Sequence, residues 1–284
     1  MSDWPLRVIV ALAILVALAG FARAVLPWTL HVDMRRELER HRNVSLGIGY
    51  SGFLVGVLHI AGSALGHTSG AQIAGASLAL GLGAASIALF AALGHVGLRL
   101  LATVDLRAGM RANNAGAGVV AAGAYIGLGQ VMAGAVSADS EGGSWATTMV
   151  FLAIGLGAFV AVSRLYRRLT RYDDDAEIAR GNLAAALGYA GLLVAVGMIA
   201  GHAIEGTFLG YATSLRLTGQ ALALVALLYV VRQFLVQGIL LGGGFRLAGG
   251  RLDDEIAVDR NVGAGAVEAA AYVGAAIVAL RIGP

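Results

Sequence analysis

The chain has 284 residues, 58% of them hydrophobic and 13% charged, with a formal net charge of +3. Soluble domains carry about 25% charged residues, so a soluble globular fold is excluded. All the basic residues are arginines and there is no cysteine. That removes disulfides, thiolate metal sites and a cysteine nucleophile, as well as a lysine Schiff base of the retinal-photoreceptor kind and a P-loop lysine. The small positive charge is no ground for nucleic-acid binding, because arginine in so apolar a chain marks the cytoplasmic side of a membrane.

In chain order, eight apolar segments are near or above the roughly 20 residues that a helix needs to cross a bilayer. They run from about Leu6 to Leu30, Val44 to Gly66, Ala71 to Val104, Ala115 to Ser137, Trp145 to Leu165, Leu183 to Ile204, Phe208 to Leu241 and Val262 to Ile282. Val8 to Gly20 followed by Ala22-Arg23-Ala24 has the look of a signal peptide. Its n-region is weak, however, with Asp3 offsetting Arg7, and the repeat described next needs a helix there. We therefore expect it to be a retained first span.

The connections after segments two, four and six (His67 to Gly70, Ala138 to Ser144, Glu205-Gly206) are short and nearly free of arginine. Those after segments one, three, five and seven hold most of the arginines: Arg35, Arg36, Arg40 and Arg42; Arg107 and Arg111; Arg167, Arg168, Arg171 and Arg180; Arg246, Arg251 and Arg260. The positive-inside rule makes these four cytoplasmic and both termini extracytoplasmic.

Each arginine-rich connection ends in an asparagine that opens the next segment: Asn43, Asn114, Asn182 and Asn261. Aligned on it, Gly47, Gly118, Ala186 and Gly265 lie four residues on. Gly52, Gly123, Gly191 and Ala270 lie nine on, and Gly56, Gly127, Ala195 and Gly274 lie thirteen on. The last two columns form a small-x-x-x-small face in every copy, which lets membrane helices approach closely. The asparagine can cap its helix or bind an ion or headgroup. This divides the chain into units 1–67, 68–140, 141–206 and 207–284. The fold expected is all-α, a polytopic bundle of eight transmembrane helices made of four parallel two-helix repeats. Parallel repeats relate by an axis along the membrane normal, which suggests a pseudo-symmetric bundle around a central pore or a lipid-filled interface.

Glu177-Ile178-Ala179-Arg180-Gly181-Asn182, then Leu183 to Gly191, resembles the signature of the domain of unknown function 350 family, the YjfL-like bacterial inner-membrane proteins: an acid, then Asn, a run of small residues, and Gly. Asp254 to Gly265 matches more loosely, and Asn43 and Asn114 mark degenerate copies. The family's Thr-Pro before the acid is absent, since Arg171 follows Thr170. Members typically carry two units, so four look like a fused pair. The resemblance implies a bacterial plasma-membrane protein in transport or envelope homeostasis, whose relatives are encoded beside spermidine-synthase-like or PspA-like membrane-stress proteins. It implies no established activity.

Ionisable residues at bilayer depth are the default functional candidates. Glu268 lies seven residues past Asn261, about 10 Å into the membrane, and Arg232 lies at a comparable depth of roughly 13 Å. An Arg232–Glu268 pair can be a structural ion pair, or part of an ion or proton relay lined by Gln233 and Gln237 on one helix face. His59 and Gln130 share a register, sixteen residues after their asparagines, and complete the polar set. His67, His202 and Glu205 sit at outer helix ends, as interfacial polar groups or as titrating ones. The six histidines show no metal-ligand spacing. No cofactor motif, nucleophile–base set or catalytic residue is present, so an enzyme is not expected. Arg164, Arg167, Arg168 and Arg171 share a helical face suited to anionic lipid headgroups or to a cytoplasmic partner protein. The bilayer is the expected environment, and a homo-oligomer stays open, since nothing in the sequence sets the oligomeric state. Two functions follow: passage of a small cation or polar solute through the bundle, or a non-transporting scaffold that binds lipid or protein through its arginine-rich connections.

Overall fold

The structure, a computed structural model, describes residues 4–30, 33–66, 73–137, 144–244, 246 and 249–283. The His67 to Gly70 connection, His67 included, lies outside the described residues. The chain runs through α1 (Trp4–Leu30), α2 (Met34–Glu39), α3 (Val44–Gly66), α4 (Ile73–Leu101), α5 (Leu106–Arg111), α6 (Ala115–Ser137) and α7 (Trp145–Tyr166). It continues through α8 (Asp174–Ala179), α9 (Leu183–Ala203), α10 (Tyr211–Ala223), α11 (Ala226–Val230), a π-helical segment (Val231–Leu240), α12 (Arg251–Ala257) and α13 (Val262–Ile282). Among the described residues there is no strand. Among the described residues, eight spans are long and apolar enough to cross a membrane, the seventh being the composite stretch Tyr211–Leu240.

One local device occurs at the start of α3, α6, α9 and α13. A short helix (α2, α5, α8 or α12) precedes each of them. Asp33, Asp105 and Asp173 cap the first three through their carboxylates. The fourth, α12, lacks the aspartate, and the Gln237 side chain accepts from Leu252 N at 2.7 Å instead. The backbone then reverses through one left-handed residue: Arg42, Asn113, Gly181 or Arg260. Only Gly181 adopts that conformation without a steric cost. The asparagine N–H bonds back to a carbonyl of the short helix, Asn182 to Glu177 O at 2.9 Å for example. Its side-chain oxygen then accepts from the first turn of the long helix, at Leu46 N, Ala117 N, Ala184 N and Ala264 N respectively.

The helices form two layers. In one, α3, α6, α9 and α13 lie side by side, each packed along its length on the next. The seams are backbone against backbone: a Cβ at Gly52 would strike Ala122, one at Gly123 Ala190, and one at Gly191 Ala269. Gly129 lies on Gly56, Gly197 on Gly127 and Gly134 on Gly201. Only glycine allows such approach, and in lipid close packing is a main source of helix association. The spans of α6 and α9 are each 78% buried, which makes them the interior of the assembly. The other layer holds α1, α4, α7 and the composite span. Of these, α4 and α7 each sit in the furrow between two neighbouring first-layer helices.

Two expectations are corrected here. The glycine-faced helices form an open row with α3 and α13 at its ends, not a ring about a central pore. And Gly274 packs on nothing, with no atom within 4 Å of a Cβ built there, because α13 ends the row and has no next helix.

Candidate functional site

The seventh span is broken where the Tyr166 hydroxyl enters it. That hydroxyl donates to Val225 O at 2.5 Å and accepts from Tyr229 N at 3.1 Å, taking the place of helical partners. A side chain inserted in the ladder is a recognised cause of a helix break. The π-helical segment follows. Long π-helical runs are rare, and π geometry gathers at functional sites. Here it turns Arg232, Gln233, Val236 and Gln237 inward together.

Arg232 is 2% exposed and holds two carboxylates at once. Its Nε donates to Glu268 Oε1 and its Nη2 to Asp253 Oδ1, each at 2.5 Å. Glu268 also accepts from the Tyr272 hydroxyl at 3.3 Å, and Asp253 from Arg171 N at 3.0 Å. The Glu268 carboxylate lies on Gly188 of α9, where any side chain would collide with Oε2. Gln237 binds both sides of the connection to α12, accepting from Leu252 N and donating to Gly243 O at 3.2 Å. Gln233 donates to the Tyr229 hydroxyl at 3.0 Å, and Tyr166 packs edge-on against both Tyr229 and Tyr272. The cluster thus joins the seventh span, α12, α13 and α9.

Two groups, Tyr172 just before α8 and Asp174 in its first turn, act at the same place. Asp174 is 5% exposed and accepts from Thr170 Oγ1 at 3.0 Å. Burial pushes its pKa up to about 7, against the pull of Arg167 and the Thr170 hydrogen bond, and the charge of Glu268 adds to the rise. Burial, then Glu268, likewise hold the Tyr172 hydroxyl well above its ordinary value. A neighbouring cluster is balanced instead. Arg167 pairs with Asp175 at 2.6 Å, and Thr103 N donates to Asp175 at 3.0 Å. Burial would raise Asp175, but Arg167 and Thr103 together hold it below the usual carboxylate range.

Of the residues picked out in the sequence, the structure brings Arg232 and Glu268 into contact and buries Gln233 and Gln237 beside them. His59 lies on the exposed side of α3 and Gln130 is half-buried on α6, helices apart from the cluster. The four asparagines cap their helices. Asn43, Asn114 and Asn182 also donate to the short helix of the following unit, at Met110 O, Ile178 O and Ile256 O. Among the described residues the amide of Asn261, at the end of the row, donates to Glu255 of its own connection and to no further short helix. The arginine face of α7 is partly consumed by protein. Arg164 Nε donates to Leu100 O at 2.5 Å and Arg167 Nη1 to Leu101 O at 3.1 Å, closing the carboxyl end of α4. Arg168 remains exposed. His202 and Glu205 pair at 3.5 Å at the far end of the bundle. A cleft of about 430 Å³ opens there between α4, α7 and α10, lined mainly by apolar side chains such as Leu82, Met132 and Leu152. Sequence reasoning missed Asp253, Asp174 and Gly188.

Eight apolar spans in two packed layers, with an ionic cluster buried among them, define a polytopic integral membrane protein. The model of the Domain of Unknown Function (DUF350) family matches residues 2–136 and again 139–281, so the chain belongs to that family. No curated protein and no solved structure matches it.

Proposed function

We propose that the protein passes protons or another small cation across a bacterial plasma membrane, exchanging charge at the Arg232–Asp253–Glu268 cluster and Asp174. The observation that carries this reading is the charge imbalance: one buried guanidinium faces two carboxylates, and a third buried carboxylate feels the same charges. An apolar interior does not hold unbalanced carboxylates; it takes up a proton or a counter-cation. With its pKa near 7, Asp174 suits loading and release of a proton at neutral pH. Arg232 holds Glu268 and Asp253 in place, the Tyr272 hydroxyl donates to Glu268, and Gln233 donates to the Tyr229 hydroxyl beside them. The positive-inside rule makes the arginine-rich end cytoplasmic and both termini extracytoplasmic. No step of this reading is enzymatic.

The test is flux. Purified protein in liposomes containing a pH-sensitive dye, under a potassium diffusion potential, should move protons faster than protein-free vesicles, and Glu268→Gln should abolish the difference. Wild-type vesicles no leakier than empty ones to protons, sodium or potassium would overturn the proposal. A scaffold is the second reading. It is favoured by the seams of the glycine row, which leave no room for a solute between helices, and by the exposed Arg35, Arg36, Arg40 and Arg42 around α2. It expects no flux, and binding to anionic vesicles that is lost when those arginines become glutamine.

A further inference from the structure

One seam is used three times in the glycine row, and both ends of the row lack it. Counting from the opening asparagine, the earlier helix offers positions two, nine and thirteen, and the later one answers with four, eight and fifteen. At the first level Ser45 meets Gly118, Gly116 meets Ala186 and Ala184 meets Gly265. At the second, Gly52, Gly123 and Gly191 meet Ala122, Ala190 and Ala269. At the third, Gly56 meets Gly129 and Gly127 meets Gly197. Beside each seam an asparagine amide donates to the next unit's short helix.

The last helix repeats this offer to empty space. Gly263, Ala270 and Gly274 of α13 are exposed, as is Asn261. The first helix carries the answering positions: Gly47, half-buried, with Ser51 and Leu58 exposed. The first two levels are small on both sides, with the Leu38 side chain of α2 flanking Gly47 at the first, and at the third a vacant Gly274 is matched by a protruding Leu58. The second layer shows the same gap independently. Among the described residues, each of α4 and α7 packs extensively on two glycine-row helices, whereas α1 packs in this way on α3 alone. The α1 span is 17% buried against 33% and 28% for α4 and α7, and Val16 is 71% exposed. What α1 lacks is the preceding glycine-faced helix.

We propose that α13 of one copy docks between α1 and α3 of a second copy, continuing the row head to tail. Gly263 faces Gly47 of the second copy, Ala270 faces its Ser51, Gly274 receives its Leu58, and Asn261 donates to the carboxyl end of its α2. Lipid exerts no hydrophobic force between helices, so close packing and the asparagine hydrogen bond supply the association. The contact is heterologous, uniting different faces of the two copies.

Because the chain has no cysteine, introduced thiols are the only ones present. Leu58→Cys and Gly274→Cys proteins, co-reconstituted in liposomes and mildly oxidised, should cross-link with each other, and the double variant should give a ladder beyond the dimer. A double variant that stays monomeric, or Gly274→Cys linking to itself as readily as to Leu58→Cys, overturns the proposal. As a second arm, Gly274→Phe is placed in a Ser51→Cys/Ala270→Cys background. The open space at Gly274 means that thermal unfolding should not change, while cross-linking should fall about tenfold or more. Cross-linking unaffected by the phenylalanine overturns the proposal equally.

Discussion

Replacing Asp174 with asparagine tests the electrostatics of the cluster most directly. Burial raises this carboxyl from 3.8 to about 7. A folded-state pKa above the unfolded one means that the folded chain holds the proton more tightly between the two values. The resulting stability is complete below the unfolded pKa and is lost as pH rises through about 7. A gap of about three units corresponds to about 4 kcal/mol at the upper limit. Asparagine stays neutral and still offers an oxygen to Thr170 Oγ1. Asp174→Asn should therefore flatten the pH dependence and exceed wild type at about pH 8 and above, by up to about 4 kcal/mol. Asp105, Asp175 and Glu177 are held below their ordinary values, so their contributions are lost only as pH falls through the acid range and do not overlap this window. Denaturation midpoints in mixed micelles, taken from about pH 5 to about pH 9, read the difference. A wild type that gains stability through neutral pH, or a variant weaker than wild type at every pH, would show that Asp174 is ionised and paired, and the reasoning would fail.

Removing the guanidinium should cost far more than removing one acid. Arg232→Met strands Glu268 and Asp253 and should destabilise by about 3–5 kcal/mol, whereas Glu268→Gln leaves a balanced Arg232–Asp253 pair and should cost about 1–3 kcal/mol. Equal losses in the same unfolding assay would count against the asymmetry. The asparagines should differ by their place in the row. Asn182→Ala deletes a buried cap and the hydrogen bond to Ile256 O, for a loss of about 2–4 kcal/mol. Asn261→Ala deletes an exposed cap, for about 1 kcal/mol. Melting temperatures of the two variants give the comparison.

The spans, the opening asparagines and the Arg232–Glu268 pair were legible in the sequence because each follows from local pattern: hydropathy, register, or a charge at bilayer depth. Asp253 and Asp174 were not. In the sequence they are acids among arginines in polar connections, and their burial depends on short helices folding back beneath the bundle. The available signal is the capping aspartate that precedes Asn43, Asn114 and Asn182 by nine or ten residues and marks a short helix within the connection. Gly188 is one of 42 glycines, and nothing local in the sequence sets it apart as the seat of the Glu268 carboxylate. Nor did the asparagines disclose their second role, because their partners lie more than sixty residues away.

The open row, by contrast, follows from the positions that pair along each glycine-faced helix. On a helix turning about 100° per residue, positions two, nine and thirteen point near 200°, and four, eight and fifteen near 60°. Each helix therefore joins its two neighbours through faces about 140° apart, whereas a closed ring of four needs about 90°. Four such helices make a shallow arc with two free edges. The small-residue columns alone could not reveal this, since they name the face that is offered and not the face that answers. Any conduction route must then run beside the row, where the ionic cluster lies between α13 and the seventh span, and not through its middle. The same angle leaves α3 and α13 with unmet faces, so the edges of the arc and the charge cluster are separate features to be tested separately.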